Sequence, residues 1–302
     1  MTTDNKLDDQ SDEYFGTGPK KGRGMAKESA VLMMAMRDIV EECQPITGRG
    51  VGYRLFARGL IPSMDRNEMK RVYRLLLIGR EQYCIPWEWI VDEGRELEIM
   101  PTWADPAQYA KLVGHLYRRD FWAQQPQRVA VWSEKGTVRG LLRPVLDQYA
   151  VGFRVMHGFG SATTVHGTSQ SNDGKRLVVL YVGDIDPSGL FMSEVDLPKR
   201  FTKYDGEHVT LKRIALTKKQ VTRLPSFSAF DKQNDSRFDW FISNHGDRCW
   251  ELDAMDPNRL RDCVEREIKK LIEPVAWRRC ELVNAAERVS IQAGVKAWGA
   301  AE

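Results

Sequence analysis

Three carboxylates stand where strands of this chain should end. Glu134 closes the apolar run RVAVWSE, and Asp184 and Asp186 close LVVLYVGDID. Carboxylates gathered at one edge of a sheet repel one another strongly unless a cation neutralises them, and an all-oxygen ligand set suits Mg²⁺ or Mn²⁺. An ion held in this way keeps positions open for phosphate oxygens. An Asp-x-Asp pair alone is a weak signal, since acidic pairs in turns are commonly solvated. Its setting strengthens it: LVVLYVGDIDPSG runs from an apolar strand into a helix started by Pro187, and a separate strand delivers Glu134, followed at once by Lys135 and Gly136.

Positioning such a site requires an α/β scaffold, and the second half of the chain reads as one. Short apolar runs alternate with helical patterns. RVAVWSE precedes a helix from about Thr137, with Val138, Leu141, Leu142, Val145, Leu146 and Tyr149 on one stripe. GFRVMHG precedes SATTVH, LVVLYVGD precedes the helix at Pro187, and HVTLKRIAL follows. Strands apolar on both faces and separated by helices indicate a parallel sheet covered on both sides. Side chains at the C-terminal ends of such strands converge on the ligand crevice. Two further helices are expected near Pro257 to Ile272 and Val275 to Gln292.

The first half reads as a helical unit. Val31, Leu32, Ala35, Met36, Ile39 and Val40 recur at helical spacing between Lys27 and Cys43, and Pro45 then forces a turn. Thr47 is placed to cap a short second helix ending near Gly59. A third helix, about Asp65 to Gln82, carries Met69, Val72, Tyr73, Leu76 and Leu77 on its apolar stripe, which marks Tyr73 as a core residue. Opposite them Arg66, Lys70 and Arg74 form an i, i+4, i+8 row beside Arg71. That geometry suits a recognition helix of a helix-turn-helix, with WEWIV after Pro86 as a strand of a wing. A solvated basic face gives the same pattern. The expected boundaries are a disordered tail over residues 1–24, a winged-helix DNA-binding domain over 25–100, a connector over 101–127, and the sheet domain with C-terminal helices over 128–302.

Composition sets the outer limits. The chain has 302 residues and a net charge of +3, so a polyanion site must come from local clustering of Lys and Arg. Five cysteines without a CxxC pair fit neither a disulfide framework nor a zinc site. No apolar run approaches the roughly 20 residues that span a bilayer. An intracellular, nucleoid-associated protein is expected.

SEKGTV and GDIDPSG together resemble the Toprim signature, a glutamate on one strand and an Asp-x-Asp on another. Their details are most similar to the A subunit of type IIB topoisomerases and the related meiotic double-strand-break protein. HGFGSATTV and CWELDAM resemble further motifs of that group. The resemblance spans about residues 45 to 275, and the short Mini-A branch is most similar in length and layout. It implies a winged-helix domain followed by a Rossmann-like Toprim domain, Mg²⁺ or Mn²⁺ on Glu134, Asp184 and Asp186, and Glu134 as a catalytic residue. It also implies a tyrosine nucleophile in the winged-helix domain, attached to the 5′ end of the break. TGRGVGYRLFARG then places Arg49 at the family's arginine and Tyr53 at the nucleophile, with Gly52 in place of the family's first tyrosine; Tyr73 is the rival candidate, set aside because it sits on the apolar stripe of the third helix. Arg49 lies one helical turn before Tyr53, so both can meet one phosphate; a phenol of ordinary pKa near 10 needs such help. Double-stranded DNA is the implied partner, together with a homodimer in which each tyrosine works with the partner's metal site.

No GxxxxGK[ST] loop occurs, so this polypeptide alone is not expected to couple ATP hydrolysis to strand passage, and a partner protein is one way to supply that function. Two other readings stay open: a Toprim nuclease that hydrolyses with water, and a DNA-binding protein without catalysis. Primase activity lacks the zinc-ribbon cysteines. Glu251 and Asp253 in WELDAM are candidates to support the metal site, the dimer or the fold. His157 follows a strand near the crevice, and Asp235 and Arg237 suit a local ion pair.

Overall fold

The computed structural model describes residues 27–91, 102–156, 162–171 and 174–299. The expected tail, His157 and most of the HGFG motif lie outside them.

The first unit is three helices and a two-residue strand pair. Helix α1 (Lys27–Cys43) leads to β1 (Ile46–Thr47), then α2 (Gly48–Ala57) and α3 (Arg66–Glu81). Thr47 caps α2 as expected, and Asp65 rather than the nearby Ser63 caps α3. Thr47 Oγ1 accepts from Gly50 N at 2.9 Å, and Asp65 accepts from the backbone amides of Asn67 and Glu68. Strand β2 (Ile90–Val91) pairs in parallel with β1, so WEWIV does supply a strand, preceded by a single 3₁₀ turn; whatever follows Val91 lies beyond the described residues. Leu32, Met33, Met36, Ile39, Leu55, Val72, Leu75, Leu76 and Ile85 form this unit's own core.

Two expectations for these helices need correction. On α1 Val31 points outward, and Ala30 and Met33 are buried instead. On α3 the buried stripe is Met69, Val72, Leu75, Leu76 and Gly79, while Tyr73 and Leu77 are 45% and 42% exposed. The cause is packing between helices. A Cβ on Gly79 would lie 2.8 Å from Met33 Sδ and 3.0 Å from Ile85 Cδ1, so α1 and the chain beyond α3 close over the side of α3 that carries the glycine. The stripe is thereby rotated away from Tyr73.

After α4 (Pro106–Leu116) comes the α/β unit: β3 (Gln127–Ser133), α5 (Thr137–Tyr149), β4 (Gly152–Val155), α6 (Ala162–Gln170) and β5 (Arg176–Val182). A continuous helical crossover follows, α7 (Pro187–Phe191), a π turn and α8 (Leu197–Lys203), before β6 (Val209–Ala215). All four strands are parallel, in the order β4-β3-β5-β6. Val129, Val131, Val178, Leu180 and Val182 meet α5 and α10 (Pro257–Lys269) on one face. Trp132, Val179 and Tyr181 meet α6, Met192 and Phe201 on the other. Coverage of both faces explains why the central strands β3 and β5 read as largely apolar runs, whereas the outer strands β4 and β6 carry charges.

The chain continues through β7 (Phe227–Ser228), α9 (Phe238–His245) and β8 (Arg248–Cys249), which pairs antiparallel with β7. Helix α11 (Pro274–Gly299) ends the described chain and runs seven residues past its expected end at Gln292. Among the described residues no helix is long and apolar enough to cross a membrane.

The two units are bolted together. Arg261 of α10 donates to the carbonyls of Cys43, Gln44 and Pro45, and Arg54 of α2 donates to Ala254 O and pairs with Asp256 at 3.4 Å. Carbonyl groups at the end of α1, which have no partner within the helix, are thus satisfied by a cation from the other unit.

Candidate active site

The sheet places the acidic residues by topology. From β3 the chain crosses to β4 on one side, whereas β5 lies on the other side of β3. The gap between β3 and β5 at their C-terminal ends is therefore a switch point, where a crevice opens in this architecture. Glu134 directly follows β3; Asp184 and Asp186 follow β5.

Each aspartate is fixed by its own partners. Asp184 is almost fully buried: Oδ1 accepts from Leu252 N at 2.7 Å and Oδ2 faces Lys135 Nζ at 2.9 Å. Asp186 caps α7, accepting from Gly189 N at 2.6 Å, and its other oxygen pairs with Lys232. The tight turn requires Gly189, because a Cβ there would lie 2.8 Å from the Asp184 carbonyl oxygen. Beneath the turn the half-buried Arg213 guanidinium donates to the carbonyls of Gly183, Asp184, Gly189 and Leu216 and to Ser193 Oγ, closing the loop around one rigid cation.

Glu134 differs from both aspartates. Among the described residues no hydrogen bond or ion pair ends on its carboxylate, and burial together with the charges of Asp186 and Asp184 pushes its pKa up to about 7. Burial also raises Asp184, with Lys135 opposing. Carboxylates so raised mark negative charge that the ammonium groups of Lys135 and Lys232 only partly offset. An all-oxygen cluster of this kind fits a hard divalent cation. Among the described residues no three acidic, histidine or cysteine side chains form a closed ligand set, since the two aspartates are turned towards their lysines.

The segment Glu251–Asp253, marked only as supporting in the sequence, joins this crevice to α2. Lys135 Nζ reaches Asp253 Oδ2 at 3.0 Å, and Asp253 Oδ1 accepts from Thr47 Oγ1 at 2.6 Å. One residue pair along, Arg49 makes a two-pronged bond to Glu251. The route Asp184, Lys135, Asp253, Thr47 and the route Glu251, Arg49 both end at the start of α2. Arg49 in turn lies over the ring of Tyr53, 5.7 Å from its centroid.

Tyr53 is where the sequence puts it, beside Arg49, but it is only 5% exposed. Burial, reinforced by Glu251, pushes its pKa up to about 12, with Arg49 opposing. Position 52 faces inward as well: a Cβ there would meet Met69 Sδ at 2.5 Å, so a larger side chain has no room without displacing the tail of Met69. Tyr73 rests against Gly48, whose missing Cβ would lie 2.9 Å from the ring, and Arg49 acts on this phenol too.

Of the basic row, Arg66, Lys70 and Arg74 are exposed as expected. Arg71 is half-buried, paired with Glu28 of α1 at 2.7 Å and Glu68 at 3.8 Å, and so belongs to the packing of α1 on α3. Asp235 and Arg237 form the expected local pair, and Asp235 also accepts from Ser188 Oγ. Lys232 and Arg213 were not singled out in the sequence. Arg213 carried one signal, its place beside Lys212 as a pair of charges inside the strand run HVTLKRIAL; Lys232 carried none.

A cavity of about 560 Å³ lies behind the Asp184–Asp186 turn, lined by Ile185, Leu190, Leu216, Val221 and Trp250 with Glu194, Arg213, Lys218 and His245 among its polar lining. None of the three carboxylate residues lines it, so it is separate from the acidic crevice. A scan of protein-family models, a search of curated proteins and a search of solved structures each returned no match. Function therefore rests on the chemistry of the site.

Proposed function

We propose that this chain is a Mg²⁺-dependent DNA-cleaving enzyme, similar to the A subunit of type IIB topoisomerases, with a winged-helix unit joined to a Toprim-type sheet unit. One observation carries the reading. Carboxylates from two neighbouring strands meet at the switch point of a parallel sheet, and the segment that holds Asp184 also holds, through Glu251 and Asp253, the helix that bears Arg49 and Tyr53. Metal site and phenol cluster are thus parts of one connected network. Mg²⁺ (or Mn²⁺) on Glu134, Asp184 and Asp186 would supply charge stabilisation to a phosphate.

The chain's own residues do the rest. Arg66, Lys70 and Arg74 hold the DNA backbone along α3. Arg49 meets the reacting phosphate when the phosphate displaces Glu251, and a phenol beside Arg49 attacks, leaving a protein-linked 5′ phosphate. Cutting both strands takes two copies of the site, so a two-fold homodimer on double-stranded DNA belongs to this reading. The depth of Tyr53 favours a second reading, in which water attacks and no protein remains on the DNA.

Purified protein mixed with 3′-end-labelled linear duplex DNA in Mg²⁺ and stopped with detergent separates these readings. Label that travels with protein until protease is added, and that disappears with chelator or with Asp184→Asn, is expected. Cleavage without trapped label would favour the hydrolytic nuclease, and salt-sensitive binding without cleavage would favour a binding module.

A further inference from the structure

The cavity behind the Asp184–Asp186 turn has the make-up of a small-molecule site. Its volume of about 560 Å³ lies within the roughly 300–1,000 Å³ of ligand pockets, which join apolar walls to a few placed polar groups. Leu190, Val221 and Trp250 are part of the apolar wall. Ile185, the middle residue of the Asp-x-Asp turn, lines it too, and its backbone exchanges two hydrogen bonds of 2.9 Å with that of Trp250. An occupant therefore bears on the turn without touching its carboxylates.

The polar lining divides by what each group already does. Arg213 is committed to four carbonyls and Ser193 Oγ. Lys218 is exposed, and among the described residues no hydrogen bond or ion pair ends on its ammonium group. Both ring nitrogens of His245 are buried without a hydrogen-bond partner among the described residues; Nε2 lies 3.1 Å from Glu194 Oε2 but lacks the alignment of a bond. Burial holds this imidazole below the usual histidine range, so it is uncharged at neutral pH. Buried polar atoms are seldom left unmatched, and a polar group on a ligand can match these.

We propose that this cavity binds a small, mainly apolar organic acid, with its hydrocarbon body between Leu190, Val221 and Trp250 and its anionic group at Lys218. The ligand's charge follows from the lining, where Lys218 is the cation left without a partner and Glu194 already faces His245. The inference goes beyond DNA cleavage and does not depend on it.

Fluorescence titration of the full chain with a matched pair of dyes tests this. Anilinonaphthalene sulfonate carries an apolar aromatic body and one anionic group, and phenylnaphthylamine is the same body without the charge. Saturable binding of one sulfonate dye per chain is expected. Lys218→Glu should weaken the sulfonate about fivefold and leave the uncharged dye unchanged, as fits a charge pair at an exposed position. Thr222→Trp, which places a bulky ring at another exposed residue of the lining, should weaken both dyes about tenfold. Both variants should keep the wild-type circular dichroism and urea midpoint, because neither replaced side chain is buried. No saturable binding, several equivalent dyes per chain, or wild-type affinity in Thr222→Trp overturns the site. Wild-type affinity for the sulfonate in Lys218→Glu, or an equal loss for both dyes, overturns its preference for an acid.

Discussion

The acidic crevice and the phenol cluster solve the same problem, holding polar groups in place, by opposite means. In the crevice position comes from the backbone: Asp184 and Asp186 are fixed by the amides of Leu252 and Gly189 in a turn clasped by Arg213, and Glu134 follows directly from a central strand. In the phenol cluster position comes from side chains across a joint: Arg49 is held by Glu251, and Thr47 by Asp253. Backbone-built sites are set once the fold forms. A joint of side chains can open, and here the group that must open it, a phosphate, is also the substrate of the proposed reaction.

The largest effects should come from the crevice. Asp184→Asn should reduce metal-dependent cleavage on the order of 100-fold or more, judged by trapped label, because even partners behind metal ligands commonly contribute 10- to 100-fold. The fold should persist, since asparagine can still accept from Leu252 N. Gly189→Ala should act similarly by pushing against the Asp184 carbonyl, with metal affinity as the readout.

Substitutions in the basic row come next. Replacing Arg66, Lys70 and Arg74 together by alanine should flatten the salt dependence of DNA binding by about 3 in log–log slope, from roughly 0.9 per phosphate contact. Arg71→Ala should leave that slope unchanged and lower stability instead, because Arg71 is paired with Glu28 and Glu68. A slope equally sensitive to Arg71 would show that α3 meets DNA through another face.

Smaller effects are expected at the joint. Thr47→Ala removes both a helix cap and the bond to Asp253, and should cost about 1–2 kcal/mol in urea unfolding. Glu251→Ala should cost about as much, because Arg49 is partly exposed and water replaces some of what is lost. DNA binding should tighten in Glu251→Ala, since Arg49 is released to meet a phosphate; unchanged binding would place Arg49 away from the DNA.

The sequence revealed the crevice because its signals are local. An apolar strand, an acid at its end and a proline-started helix occupy contiguous residues, as in VVLYVGDIDP, and Thr47 and Asp65 declare their caps within three residues. What the sequence concealed depends on which neighbour arrives. On α3 helical periodicity alone allows the stripe to continue through Tyr73 and Leu77 or through Leu75 and Gly79. The choice is made by Met33 and Ile85, which fit only against a residue without a side chain. Lys232 reaches Asp186 from 46 residues away, a pairing with no local signature.

The most direct test is calorimetric titration of Mn²⁺ into chelator-treated protein at several pH values. Glu134, with its pKa pushed up to about 7, holds a proton in the folded metal-free protein at pH values where the unfolded chain has lost it. Its burial therefore makes the metal-free fold progressively less stable as pH rises from the ordinary glutamate range to about 7, and metal binding must displace the same proton. Binding at pH 8, an apparent affinity about tenfold weaker per unit below pH 7, and loss of binding in Glu134→Gln and Asp184→Asn are expected. Absence of Mn²⁺ binding at pH 8, or wild-type affinity in both variants, would contradict the assignment of this crevice as a metal-and-phosphate site.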